Sequence, residues 1–271
     1  MLRPWQRKLL DGLFAEDRDG RLIHRSSLIG LPRKQGKSAL GAGLALWSLF
    51  CGDHGGEVYS CAGTRDQARI VFGTAKRMIE LDPELSTLAK VYRDAIEIPD
   101  TGSVYRVLSR EAGASEGLSP TFVVFDEVHV QPDDELWNVM SLGAGARHEP
   151  LMLGITTAGS RTDARGQDSL CYRLYQHGKR VVSGEVDDPT FAFFWWEPRA
   201  GADSDHTDPK VWAESNPGLG DLNSIEAPPN RSSAPNAPTF GLPARSRHCR
   251  TVRGIDSQIL NVYPIRTLTS C

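Results

Sequence analysis

The sequence predicts an α/β fold, a central mainly parallel sheet flanked by helices, and three observations predict it. Short β-rich runs alternate with longer helical ones as far as Asp221, the order that a parallel sheet with crossover helices requires. The strand runs are apolar almost throughout, which suits strands covered on both faces. The chain has 271 residues, of which 39% are hydrophobic and 24% charged. That length buries a substantial core and that balance is ordinary for a globular protein, which argues against a fully disordered or membrane-embedded chain.

Taken in order, Pro4-Trp5-Gln6 opens a short amphipathic helix carrying Leu9, Leu10, Leu13 and Phe14. Strands are expected at Ser26–Leu31, Glu57–Ala62, Thr121–Asp126, Leu151–Thr157 and Phe191–Glu197. Helices are expected at Lys37–Phe50, Arg65–Leu81, Asp133–Leu142 and Gln167–Lys179, with Ala95–Ser109 forming an inserted hairpin around Gly102. The most apolar helical run, Ala39 to Cys51, is well short of the roughly 20 residues that span a bilayer. Met1 to Lys8 has no apolar signal core. Five cysteines (Cys51, Cys61, Cys171, Cys249 and Cys271) form no C-x-x-C pair, so neither a disulfide framework nor a zinc site is expected and a reducing cytoplasm fits.

After Asp221 the character changes. Residues 222–271 carry six prolines, six arginines, no lysine and only Glu226 and Asp256 as acids, so the net charge is −7 up to Asp221 and +4 beyond it. The stretch Pro228 to Pro238 has neither helical nor strand periodicity and reads as disordered. A natural flexible tail and a sequence translated out of its original frame both fit. The division expected is therefore 1–221 for the folded domain and 222–271 for a Pro/Arg-rich tail.

The chemistry concentrates at two places. Leu31-Pro32-Arg33-Lys34-Gln35-Gly36-Lys37-Ser38 follows an apolar strand and opens an apolar helix, the strand, loop and helix context of a phosphate-binding loop. Backbone N–H groups at a helix N-terminus bind phosphate oxygens, Lys37 reaches the β- and γ-phosphates of ATP, and the Ser38 hydroxyl serves Mg²⁺. The motif departs from GxxxxGK[ST], because Leu31 holds the first glycine position and Gly30 comes one residue early. The second place is Phe122 to Glu127, an apolar strand ending in adjacent carboxylates. Strand alternation points Asp126 and Glu127 to opposite sides. Asp126 then suits Mg²⁺, and Glu127 suits the base that activates an attacking water. Leu151 to Gly159 is another apolar strand, ending in Thr156 and Thr157, hydroxyls suited to sensing the γ-phosphate. Gln6 offers an amide that pairs with an adenine edge as donor and acceptor.

Pro4-Trp5-Gln6, Leu31 to Ser38, Ala62 to Ala68, Gly117 to Pro120, Val124 to Glu127 and Thr156 to Gly159 occur in the order found in the tailed-phage terminase large subunit. Asp208 to Trp212 and Ser215 to Gly220 also resemble that family, so the likeness covers about residues 3 to 221. The resemblance implies an additional-strand, RecA-like P-loop ATPase that uses ATP and Mg²⁺ to drive double-stranded DNA into a procapsid. It also implies a homo-oligomeric ring, a portal protein and a small terminase subunit as partners, no membrane, and the cytoplasm of a bacterial host. By matching position, Arg33, Lys34, Gln35, Gly36, Lys37 and Ser38 form the nucleotide loop, Arg33 acts on the phosphates, and Ser38 and Asp126 support Mg²⁺. Glu127 is the catalytic carboxylate, Thr156 and Thr157 form the coupling motif, and Gln6 contacts adenine. The family carries a C-terminal nuclease, whereas nothing after Asp221 supplies strands bearing the acids of two-metal cleavage. No nuclease activity is expected from this chain, and a frame-disrupted prophage gene would account for the change.

Arg65, Arg110 and Arg147 are candidates for an arginine acting in a neighbouring subunit's site. Two other readings compete. Asp126-Glu127-Val128-His129 resembles a DExH box, which points to a helicase fragment, although His129 also suits a packing or capping role and no second RecA-like domain follows. The other is a non-catalytic nucleotide-binding remnant.

Overall fold

A computed structural model describes residues 2–109, 117–199, 201, 204–205 and 207–222. The predicted tail, apart from Leu222, lies outside the described residues, as does Arg110. Along the chain come α1 (Pro4–Leu13), β1 (Ser26–Gly30), α2 (Lys37–Cys51), β2 (Glu57–Ala62), α3 (Arg65–Leu81), α4 (Pro83–Leu88), β3 (Lys90–Val91) and β4 (Ala95–Ile98). They are followed by β5 (Ser103–Ser109), β6 (Phe122–Asp126), α5 (Glu135–Ala144), β7 (Leu151–Thr156), α6 (Leu170–Val182), β8 (Phe191–Trp195) and α7 (Pro209–Ser215).

The strands form one sheet in the order β3-β4-β5-β2-β6-β7-β1-β8. Pairing is parallel from β5 to β8 and antiparallel at β3-β4 and β4-β5. The predicted mainly parallel sheet is therefore present, and β7 lies between the strand that leads into the phosphate loop and the strand that ends in carboxylates. That interposed strand is the additional strand the family resemblance implies. Because the strands share direction, their C-terminal ends line one edge, where ligands of open α/β sheets bind.

Strand alternation sorts the core into two layers. In β6, Phe122 and Val124 join the cluster holding Leu9 of α1, Leu40 and Leu44 of α2 and Phe72 of α3. Val123 and Phe125 join the opposite cluster with Trp137 and Met140 of α5 and Leu170 and Cys171 of α6. Helices thus cover both faces, which explains why the central strand runs are mostly apolar. The α2 helix is buried along most of its length. No helix among the described residues is long and apolar enough to cross a membrane.

Several boundaries differ from the expectation, each for a local reason. The predicted hairpin around Gly102 is present but is not an insertion: β5 pairs with β2 from Glu57↔Val104 to Ala62↔Ser109 and so belongs to the main sheet. The α6 helix starts at Leu170 rather than Gln167, because Thr162 and Asp168 bridge as a small antiparallel turn. Ser169 then caps the helix by accepting a hydrogen bond from the Tyr172 N–H at 3.3 Å. The predicted strands overran: Leu31, Thr157 and Glu197 lie just past the ends of β1, β7 and β8. Helices α4 and α7 and the two-residue β3 are too short to leave a periodic signal.

Candidate active site

The phosphate loop leaves β1 between two neighbours that fix its start. The Leu31 N–H donates to the Thr156 carbonyl at 3.0 Å, and the Trp196 N–H donates to the Gly30 carbonyl at 3.1 Å. Leu31 is fully buried in the core, so the residue at the first glycine position of the motif is there for packing. Gly30 is glycine because the Trp195 ring lies against it; a Cβ there would come within 2.0 Å of that ring. Lys34 and Gly36 adopt left-handed backbone, with φ of 64° and 76°, and Gly36 caps α2. Arg33 and Lys34 are exposed, whereas Gln35 and Lys37 are buried.

Lys37 donates from Nζ to the Leu31 and Pro32 carbonyls at 3.2 and 3.0 Å. Burial lowers its pKa, opposed by the charges of Glu127 and Asp126. The Ser38 hydroxyl donates to Asp126 Oδ2 at 3.1 Å, which joins the first turn of α2 to the end of β6 across 88 residues of chain. Asp126 is 4% exposed; burial first, then the charge of Glu127, pushes its carboxyl up to about 6.

Glu127 follows the strand end with φ of 52°, a left-handed conformation rare outside glycine and asparagine that costs about 1–3 kcal/mol. Asp126 faces α2 through Ser38, while Glu127, one residue past the strand end, has its carboxylate beside His129. Burial would raise the Glu127 pKa, but the neighbouring His129 ring and the Lys37 charge outweigh it and hold the carboxylate below its ordinary value. His129, in a 3₁₀ turn over Val128–Val130, meets the end of β7. Its backbone N–H donates to Thr156 Oγ1 at 3.1 Å, and its Nδ1 lies 3.1 Å from the same oxygen. Thr156 is fully buried, and its hydroxyl donates to the Thr157 carbonyl at 2.7 Å.

Gln6 sits in the first turn of α1, 4% exposed, where its Oε1 accepts from the Arg3 N–H at 3.0 Å as part of a capping box. The helix is held beside the loop because Trp5 packs edge-on against Trp196 with ring centres 5.7 Å apart. The segment after α7 closes this side. Gly218 N–H donates to Gln35 Oε1 at 2.9 Å, and Asp221 pairs with Arg3. Loop, strand ends, α1 and residues 216–222 are thereby assembled along one edge of the sheet.

Of the arginine candidates, Arg147 belongs to the other edge, where it donates to the Ser119 carbonyl at 2.7 Å and the Gly55 carbonyl at 3.0 Å. Arg65 stands at the start of α3 and pairs with Asp94 at 3.1 Å. Arg3, Gly218 and His129 are the residues that sequence reasoning left without a place in the site. His129 alone had a signal, in its position after the two carboxylates.

The oxygen donors fit Mg²⁺. One hydroxyl and one carboxylate, already in contact, match the sparse protein ligation of an ion that keeps waters and shares phosphate oxygens. Among the described residues no larger group of His, Cys, Asp and Glu could hold a metal ion. In the protein free of divalent cation, the folded state binds a proton on Asp126 more tightly than the unfolded chain does. Asp126 therefore lowers stability as pH rises from about 4 to about 6. Asp126→Asn is expected to raise the neutral-pH melting temperature of the metal-free protein and to flatten its dependence between those pH values. Two pKa units correspond to about 3 kcal/mol before the loss of the ionic Ser38 contact is subtracted. Thermal unfolding at pH 5 and pH 8 checks this; an equal or lower melting temperature at pH 8 would overturn it.

Residues 4–180 match the family described as terminase large subunit, ATPase domain. The large terminase subunit of Enterobacteria phage HK97 is 29% identical over 205 residues, 73% of this chain and 38% of that protein. Protein YmfN of Escherichia coli K12 is 34% identical over 106 residues, 39% of this chain and 22% of that one. The crystal structure of the HK97 large terminase shares the fold with a TM-score of 0.70 at 24% identity, covering 89% of this chain and 50% of that one. The large terminase ATPase domain of Thermus phage P74-26 gives 0.50 at 21% identity, covering 72% and 86%. The chain thus spans less than half the length of the curated relatives it matches. The match runs from the capping box of α1 through both carboxylates and into α6; the chain belongs to the terminase large subunit ATPase domain family, with its RecA-like P-loop fold.

Proposed function

We propose that this chain is the ATP-hydrolysing motor domain of a phage terminase large subunit, with residues 1–221 as the ATPase unit. In this reading it works with Mg²⁺ in the bacterial cytoplasm, in a homo-oligomeric ring with the portal protein and the small subunit, to drive double-stranded DNA into a procapsid. One observation carries the reading: Ser38 on α2 meets Asp126 at the end of β6, with Lys37 and Glu127 close enough to shift each other's ionisation. A strand-end turn or a solvated acidic cap has no reason to bring these four together. The family match favours this reading over the helicase one.

The loop amides at the start of α2 and Lys37 bind the phosphates, Lys37 exchanging loop carbonyls for phosphate oxygens. Arg33 and Lys34 extend from the loop as further cations for the phosphates, and Gln6 serves the adenine. Ser38 and Asp126 would hold Mg²⁺, which when bound would supply positive charge against the phosphate oxygens. Glu127, kept ionised by its neighbours, orients and deprotonates the water that attacks the γ-phosphorus. The bond from that phosphorus to the bridging oxygen of ADP breaks, and inorganic phosphate leaves. Thr156 and Thr157, on the neighbouring strand end, register the change.

Phosphate release by the purified chain, measured with Mg-ATP, with ATP plus EDTA, and with and without double-stranded DNA, tests the reading. Magnesium-dependent hydrolysis is expected. A thermal shift with Mg-ATP but no hydrolysis in any arm would instead assign a nucleotide-binding remnant.

A further inference from the structure

His129 stands two residues beyond the hydrolytic carboxylate, in neither the phosphate loop nor the metal pair, and its surroundings give it a defined task. Its Nδ1 lies 3.1 Å from Thr156 Oγ1 and 3.1 Å from Glu127 Oε2, with Thr157 Oγ1 at 3.5 Å. The hydrogen-bond geometry is met toward Thr156, while the buried Oε2 of Glu127 meets it with no group among the described residues. The proton count then decides the tautomer. The Thr156 hydroxyl hydrogen is committed to the Thr157 carbonyl, so Thr156 Oγ1 can only accept from the ring. Glu127, an ionised carboxylate, also only accepts. Both nearer partners therefore call for a hydrogen on Nδ1, the Thr157 hydroxyl at 3.5 Å being a longer contact that could accept or donate, and one N–H faces two acceptors.

The ring is also held from behind. Gly159 backbone presses on it so closely that a Cβ there would approach His129 Cβ to 2.5 Å. The backbone N–H bond to Thr156 fixes the other side, and the His129 side chain is 17% exposed. A surface histidine that merely ends a 3₁₀ turn needs none of these constraints.

We propose that His129 is the positioning residue of the hydrolytic carboxylate: its Nδ1–H is shared between Glu127 Oε2 and Thr156 Oγ1 and ties the base to the end of β7. This rests on the reading of Glu127 as the base. A displacement of the Thr156-Thr157 strand end shifts the shared N–H toward Glu127 or away from it. The orientation of the base then follows the strand that reports on the phosphates. Misplacement of a reacting group by about an ångström costs up to about a hundredfold in rate, which sets the scale expected.

Asparagine places an amide N–H where Nδ1–H stands, whereas glutamine reproduces the more distant Nε2. His129→Ala and His129→Gln are expected to lower kcat by about 10- to 100-fold with the Kd for Mg-ATP unchanged, and His129→Asn to recover most of that loss. A parent-like kcat in His129→Ala, or His129→Asn no better than His129→Gln when all three keep the parent melting temperature, would overturn the proposal. Glu127→Ala, run alongside, separates the two readings. If it alone loses turnover, only the positioning role fails; if it too keeps the parent rate, the base assignment fails first. Imidazole ¹⁵N spectra of the full chain, with the His129 signals identified by their loss in His129→Asn, read the site independently of turnover. An Nδ1-protonated ring whose Nδ1 resonance moves in Glu127→Gln is expected; a ring protonated only at Nε2 would overturn the proposal.

Discussion

Glu127→Ala is expected to keep Mg-ATP binding and to lower turnover by about two to four orders of magnitude, the range that a positioned general base contributes. The binding contacts proposed for ATP belong to the loop and to Ser38 and Asp126, none of which Glu127 touches by a side-chain hydrogen bond among those described. Its carboxylate is held ionised against burial by the His129 ring and Lys37, so the parent retains a competent base well below neutral pH. The backbone at this position is left-handed, a conformation that alanine adopts no more easily than glutamate, so the substitution is not expected to relieve the strain. The loss should therefore appear in kcat with KM little changed. Single-turnover hydrolysis beside equilibrium binding of a fluorescent ATP analogue measures both quantities. Hydrolysis at the parent rate would remove Glu127 from the mechanism.

Lys37→Ala is expected to abolish nucleotide binding while leaving the fold in place. In the nucleotide-free protein the ammonium is bonded to two carbonyls of its own loop. Its burial already disfavours the charged form, so removing it relieves a desolvation cost while giving up two hydrogen bonds to a charged donor. Each of those is worth about 1.5–3 kcal/mol before that cost is counted. Phosphates, by contrast, lose their most direct positive partner, because Arg33 and Lys34 are exposed and Lys37 is the buried cation of the loop. Calorimetric titration with Mg-ATP should show no saturable heat, and the melting temperature without nucleotide should stay within a few degrees of the parent. Binding at parent affinity would show that this loop is not the phosphate site.

Much of the site was legible before any coordinates because it is built from local signals. An apolar strand, a loop with Gly36 and a buried helix follow one another over Ser26–Cys51, and the residues proposed for the phosphates are consecutive. Phe122 to Glu127 was legible beside it: a buried strand ending in acids also suits a solvated cap, and the phosphate loop earlier in the chain is what pointed to a site. Other features left weaker traces. The roles of Gly30 and Leu31 were obscured because both answer to packing, one against Trp195 and the other in the core. The surroundings of Glu127 left no trace, because alternation governs a strand and Glu127 stands one residue past its end, where φ becomes positive. The place of Arg147 was not legible either, because nothing in its neighbourhood along the chain reveals the edge of the sheet it occupies.

By itself the sequence determined most of the strands and the longer helices, and it singled out the side chains proposed for the chemistry. Hydrophobic runs, turn residues and helix starts act over a few residues and survive any arrangement of the whole. Only the tertiary structure decided who stands beside whom. The order of strands places β7 between β6 and β1, and with it brings Thr156 to His129 across 27 residues. The closing segment brings Gly218 to Gln35 across 183. Such contacts depend on how the sheet is ordered and how its loops close. The entropy of closing a loop grows only slowly with its length, so chain separation neither forbids nor announces them. They are settled when two apolar layers pack on one sheet and bring its strand ends to a common edge.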